Sequence, residues 1–101
     1  MESIKILFGK RVKELRKQHS YTQERLAELV GIDTRNLIKI ENGQTFPRAN
    51  TLDKLIEVFS ITPDEILKMG HLENIELLKQ KIIEKLNNDE KLVKMVYKLL
   101  F

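Results

Sequence analysis

The chain has 101 residues, 42% of them hydrophobic and none of them cysteine, which suffices for one modest core and excludes a disulfide framework or a thiolate metal site. The formal net charge is +3, and it is unevenly spread, with ten Lys/Arg against six Asp/Glu in residues 1–48 and eight against nine in residues 49–101. No apolar run approaches the roughly 18–20 residues of a bilayer span, the start of the chain is mixed in charge and reads as no signal peptide, and a soluble cytoplasmic protein that contacts no membrane is expected. The positive first half suits a polyanion, because Lys and Arg neutralise phosphates and release counterions. Charge alone fits an ordinary solvated surface equally well.

No stretch of alternating β-branched residues reads as a strand, so the chain is predicted to be all-α. A first helix is expected from Ile4 to His19. Its apolar stripe is Ile4, Leu7, Phe8, Val12 and Leu15, and Lys10, Arg11, Lys13, Arg16 and Lys17 fall on the remaining surface. Thr22 is a candidate N-cap for a second helix, Gln23–Val30, and Gly31 supplies its stop. Asp33 is the expected cap of a third helix, Thr34–Asn42, closed by Gly43. The stretch 43–47, Gly-Gln-Thr-Phe-Pro, reads as a loop.

A fourth helix is expected from Ala49 to Phe59, burying Leu52, Leu55, Ile56 and Phe59. Thr62-Pro63-Asp64-Glu65 is a strong start signal, with a capping residue, a proline at the first helical position and a glutamate to complete a capping box. That fifth helix is short and stops near Gly70. Beyond it, Leu72, Ile75, Leu78, Ile82 and Leu86 form a new apolar stripe. After Asn87-Asn88-Asp89 a last helix carries Leu92, Val93, Val96, Leu99 and Leu100. The expected organisation is a five-helix unit over residues 1–70 and a helical hairpin over 71–101.

Residues 23–42 have the spacing of a helix-turn-helix. Ala27 is small where the two helices cross, and Gly31 occupies the turn four positions later. Leu26, Val30, Ile32, Leu37 and Ile40 can pin both helices to a core. Such a turn stands the second helix proud of the surface, ready for a major groove about 12 Å wide. The segments Thr22-Gln23-Glu24-Arg25-Leu26-Ala27-Glu28-Leu29-Val30-Gly31-Ile32 and Leu37-Ile38-Lys39-Ile40-Glu41-Asn42-Gly43 resemble the lambda-repressor-like (Cro/repressor, XRE type) helix-turn-helix regulators. The likeness runs on through Pro47 and the 52–59 helix to residues 61–67, so it covers about residues 4–69.

That resemblance implies a five-helix DNA-binding domain and a role for each matching residue. Gln23 corresponds to a glutamine that bonds a phosphate and a neighbouring side chain. Thr34, Arg35, Ile38 and Lys39 match base-facing positions of the recognition helix, and Asn36 one that meets the backbone or a thymine methyl. Asn42, Gly43, Gln44 and Thr45 match a turn whose amides face phosphates. Arg16 and Glu41 match a charge pair locking the first helix to the recognition helix. Two residues depart from the family pattern. Ile38 stands where a polar residue is usual, and it either meets a thymine methyl or is half-buried. Arg48 replaces a Ser or Thr after the proline, exchanging a cap for a cation within reach of a phosphate. Chemistry supports the reading independently, since Arg35 can bond guanine O6 and N7 bidentately and Lys39 lies one turn later on the same face.

No enzyme is expected. His19 and His71 are distant in sequence and form no ligand pair, and there is no phosphate loop or nucleophile elbow. His19 falls where it can meet the negative end of the first helix. No metal and no cofactor are expected. Double-stranded DNA is the expected partner, and the function implied is a repressor binding a palindromic operator as a homodimer. The hairpin stripes (Leu72, Ile75, Leu78, Ile82, Leu86, Leu92, Val96, Leu99) are the candidate oligomerisation surface. Two other uses of the same stripes stay open: packing back on the five-helix core, or binding a different protein such as an antagonist or a toxin.

Overall fold

A computed structural model describes residues 3–72 and 74–101, and every regular element among them is helical. The chain divides into two compact units, with the break after Leu72. In the first unit α1 is Ile4–Gln18, α2 Gln23–Val30, α3 Thr34–Glu41, α4 Ala49–Phe59 and α5 Pro63–Ile66, followed by a 3-10 turn at Gly70–Leu72.

The helix starts follow local chemistry. The Ser3 hydroxyl accepts from the Ile6 amide at 3.4 Å, and the Thr22 hydroxyl from the Arg25 amide at 3.0 Å. The Glu65 carboxylate reaches back to the Thr62 amide at 3.3 Å and its hydroxyl at 2.9 Å. Asp33 holds the N-cap backbone position of α3, but its side chain makes no capping bond. Two helix stops lack the glycine that usually marks them. Ser20 and Ser60 take left-handed backbone (φ 58° and 54°). The amides that follow close the ends of α1 and α4, from Tyr21 to the Arg16 carbonyl and from Ile61 to the Ile56 carbonyl.

Phe8, Val12, Leu26, Leu37, Leu55, Phe59 and Ile66 are fully buried and form the centre of the core. Each contributes roughly 1.5–3 kcal/mol on burial, as large apolar side chains do. Ile4, expected in the stripe, is half-exposed because it precedes the turn of α1 that meets the core. Leu52 and Ile56 are only partly covered. The His19 ring lies beside Tyr21 and Phe59, and its Nδ1 is 2.9 Å from the Leu15 carbonyl at the end of α1.

Arg11 corrects the expected surface placement, since it is buried. Its guanidinium donates to the Glu65 carbonyl through Nε at 3.2 Å and Nη2 at 2.6 Å, and it pairs with Glu14. Those bonds tie α1 to α5, a partner 54 positions away. Glu14 in turn meets His71 Nε2 at 2.9 Å, and Lys10 donates to the Leu72 carbonyl at 3.5 Å. The 3-10 turn is thereby held on α1. Leu72, expected in the hairpin stripe, packs instead against the first unit's core.

Burial raises the Glu14 carboxyl, but hydrogen bonds from His71 and Arg11 and their charges outweigh it and hold it below its ordinary 4.5. A carboxyl depressed on folding stabilises the fold above its unfolded pKa, and the contribution vanishes as pH falls through the folded value. Glu14→Gln is therefore expected to flatten the acid limb of stability. Thermal melts between about pH 6 and pH 3 should show the wild type losing more of its melting temperature than the variant. Parallel losses in both proteins would contradict this role.

In the second unit α6 is Ile75–Asn87 and α7 is Glu90–Leu100. Asn74 caps the first through the Glu76 amide at 2.8 Å, and Asp89 caps the second through the Leu92 amide at 3.0 Å. Leu78, Leu86, Leu92 and Val96 are half-buried, whereas Ile75, Ile82 and Leu99 are exposed. Neither helix has a buried residue.

Candidate nucleic-acid interface

The turn between α2 and α3 is set by Gly31, whose φ of 83° is left-handed and open to glycine without strain. Its amide and that of Ile32 both donate to the Ala27 carbonyl, at 2.8 and 3.0 Å. Ala27, with nearly no exposed surface, lets the helices cross closely. Leu37, Ile40 and Glu41 form the inward face of α3. Arg35, Asn36, Ile38 and Lys39 face outward, and Thr34 is half-buried at the helix start. Ile38 is 37% exposed, so its side chain can be reached by a partner.

The inward face is locked by charge as well as by packing. Arg16 Nε and Nη2 donate to the two Glu41 oxygens at 2.7 and 3.1 Å. Gln23 Nε2 donates to Glu41 Oε1 at 3.0 Å, and Arg16 Nη1 to the Tyr21 carbonyl at 3.0 Å. The Glu41 side chain is 1% exposed and that of Arg16 11%. One carboxylate thus gathers α1, α2 and the end of α3. Gln23 is the residue that brings α2 into the lock, and it remains half-buried rather than fully enclosed.

The segment after α3 departs from the expected phosphate-facing amides. The amides of Asn42, Gly43 and Gln44 donate to the carbonyls of Ile38, Ile40 and Lys39 at 2.9–3.0 Å. They are engaged in closing the helix, because its last carbonyls would otherwise be orphaned. The side chains of Asn42, Gln44 and Thr45 are exposed and remain as donors. Phe46 anchors this loop, its ring 4.8 Å from that of Phe8. Between α3 and α4 lies an open groove of about 560 Å³. Its polar rim is Asn36, Lys39, Thr45, Arg48 and Thr51, and Ile32, Ile40 and Phe46 are apolar lining. Arg48 sits at the N-cap of α4 without a capping side-chain bond, so its cation is displayed at the groove's edge.

Two contributors escape a reading of the sequence alone. Thr51 joins the rim only because α4 is placed beside α3. Gly9 lies where α1 passes tightly against the end of α3. A β-carbon there would lie 2.3 Å from the Ile40 carbonyl oxygen and 2.6 Å from that of Glu41. The available signal was an isolated glycine inside a helical pattern, which costs about 1 kcal/mol against alanine and so points to packing.

Residues 9–69 match a family model described as a helix-turn-helix domain. The chain belongs to the lambda-repressor-like, XRE-type helix-turn-helix regulators. A relative in Bacillus subtilis, the SPbeta prophage-derived HTH-type transcriptional regulator YonR, is 35% identical over 65 residues. That alignment covers 64% of this chain and 60% of YonR, so less than two thirds of that relative's length is matched. The cryptic phage CTXphi transcriptional repressor RstR of Vibrio cholerae is 28% identical over 87 residues, 84% of this chain and 78% of RstR. Among solved structures, the restriction-modification controller protein C.AhdI from Aeromonas hydrophila is 34% identical with a TM-score of 0.58. The superposition covers 60% of this chain and 92% of C.AhdI. The family and these relatives are regulators rather than enzymes.

Proposed function

We propose that this protein is a sequence-specific DNA-binding transcriptional regulator, a repressor that sets α3 into the major groove and binds a palindromic operator as a homodimer. The observation that carries the reading is the outward face of α3. Arg35 and Lys39, one turn apart, are exposed on a helix whose opposite face is buried and fixed through Glu41. Arg35 reads guanine bidentately, and Ile38 meets a thymine methyl. Lys39, Asn36 and Arg48 around the groove, with the side chains of Gln44 and Thr45, hold backbone phosphates that fix register. Thr34 and Asn42 bound the reading face at either end. Gln23 holds Glu41 and presents its amide edge to a phosphate. One such unit makes few base contacts, and a pair spanning half-sites about 34 Å apart supplies the missing affinity.

Selection from a random duplex pool tests the reading, and enrichment of an inverted repeat is the expected result. On the selected operator, Arg35→Ala is expected to weaken binding roughly 10–100-fold, or about 1–3 kcal/mol. Affinity for unrelated duplex should stay nearly unchanged. An equal loss on every sequence would assign Arg35 to phosphate rather than base contact.

A further inference from the structure

Asn42 and Gly43 end the reading helix with the chain's only Asn-Gly step. In that dipeptide an asparagine side chain cyclises most readily, because glycine has no β-carbon to crowd the attacking nitrogen. The other five asparagines precede Leu37, Thr51, Ile75, Asn88 and Asp89, whose side chains hinder the same ring closure. In the reaction the Gly43 amide nitrogen gives its proton to solvent base and bonds to Asn42 Cγ. The bond from Cγ to the side-chain nitrogen breaks, and ammonia leaves with a proton returned by solvent. Water then opens the five-membered imide at either carbonyl, leaving aspartate or isoaspartate. No oxidant, reductant or cofactor enters the balance.

The Asn42 side chain is exposed, yet the folded backbone withholds the nitrogen that would attack it. The Gly43 amide donates to the Ile40 carbonyl at 3.0 Å, and the amides of Asn42 and Gln44 donate to the Ile38 and Lys39 carbonyls at 2.9 Å. Asn42 has a ψ of 0°. Ring closure needs its β-carbon and the Gly43 nitrogen eclipsed in one plane, and at that ψ they stand about 120° apart around the Cα–C bond. Eclipsing them means turning the 42–43 peptide, which breaks the Gly43 bond to Ile40. Gly43 also has little room to turn. Its β-carbon position lies 2.8 Å from Ile6 Cα, so its backbone is already packed against the first turn of α1.

We infer that Asn42–Gly43 is a modification site which the closed end of α3 holds shut and which opening of that end releases. Conversion therefore marks chains whose reading helix has come loose from α1. Its rate is the rate of the free dipeptide multiplied by the fraction of chains open at this end. The modified chain loses DNA binding. Either product adds a carboxylate next to Glu41 in the chain, at the end of the face that meets phosphates. Isoaspartate also lengthens the backbone there by one carbon. The loss of binding rests on the DNA-binding reading proposed above, whereas the guarded chemistry does not.

The test incubates the full chain in mildly alkaline buffer, with and without guanidinium chloride, and follows the tryptic peptide Ile40–Arg48 by mass spectrometry. Asn42 is the only asparagine in that peptide. Conversion is expected to be at least about 10-fold slower in the folded chain than in the unfolded one. Glu41→Ala frees the end of α3 from Arg16 and Gln23, and it should move the rate without denaturant toward the unfolded value. Asn42→Gln should give no conversion in either state. Equal rates in folded and unfolded wild type would overturn the inference, as would a wild-type rate in a Glu41→Ala protein whose melt is lowered. The converted fraction, separated by ion exchange and refolded, is expected to bind the selected operator roughly 10-fold more weakly. Unchanged affinity would overturn the effect on binding. The two readings fail separately. A guarded Asn42 with no duplex enriched removes the DNA reading alone, and a selected duplex with equal conversion rates removes the guard alone.

Discussion

Glu41→Ala is expected to lower the stability of the first unit by about 3–5 kcal/mol, the range for breaking a buried ion pair from one side. The carboxylate is nearly sealed from solvent and accepts three hydrogen bonds, two from Arg16 and one from Gln23. Removing it leaves the Arg16 guanidinium, itself 11% exposed, with the Tyr21 carbonyl as its remaining partner in the lock. The loss is thus mainly that of an uncompensated buried cation. In a unit of this size each kcal/mol shifts the melting temperature by roughly 4–8 °C. Chemical denaturation measures the effect directly. The double variant Arg16→Ala/Glu41→Ala is expected to be less destabilised than the sum of the single variants, because it removes the stranded charge along with its partner. Strict additivity would show that the two groups do not act as a pair.

Gly9→Ala is expected to destabilise the first unit by about 2 kcal/mol or more and to weaken operator binding beyond that loss. Helix propensity alone favours alanine by about 1 kcal/mol. Sterics reverse the sign. The added β-carbon meets the carbonyl oxygens of Ile40 and Glu41 at 2.3 and 2.6 Å, and both are backbone atoms that cannot rotate aside. Overpacking of this kind costs about 1–3 kcal/mol even where side chains can yield. The chain relieves the clash by moving α1 away from the end of α3, which stretches the Arg16–Glu41 bonds and tilts the reading face. Gly70→Ala is the control, since nothing lies within 4 Å of its β-carbon position. It should leave urea midpoint and operator affinity nearly unchanged. A Gly9→Ala protein as stable as wild type, with wild-type operator affinity, would refute the contact.

Most of the first unit was legible because its signals are local. The predicted spans of α2 and α4 match the observed helices, and α1 and α3 end one residue earlier than expected. Apolar spacing located the buried faces, and Gly31 marked the sharp turn. The charge pair of Arg16 with Glu41 followed from the family resemblance, not from spacing, because 25 positions separate the two residues. Other features had no local signal. Ser20 and Ser60 stop helices in a left-handed conformation that nothing in their neighbourhood requires. Arg11 read as a surface residue because its acceptor, the Glu65 carbonyl, belongs to a backbone far along the chain. The amides after α3 were expected to face phosphates, yet the helix terminus engages them first.

The sequence by itself determined the motif and its charge. A helix-turn-helix depends on residue types at fixed short spacings, so Ala27, Gly31 and the apolar positions around them specify the turn without reference to the rest of the chain. The exposed residues of α3 follow from the same periodicity, since a helix with one buried face must display the other. Only the tertiary structure decided what holds that face in place and what lies beside it. Gly9 against Ile40, Gln23 on Glu41 and Thr51 at the groove are meetings between distant segments, and no local spacing encodes them. The hairpin shows the same division. Its two apolar stripes were plain in the sequence, but only the placed helices show that Leu78, Leu86, Leu92 and Val96 are half-buried while Ile82 and Leu99 stay exposed. Which apolar side chains stay exposed is a property of the packed pair and not of either helix.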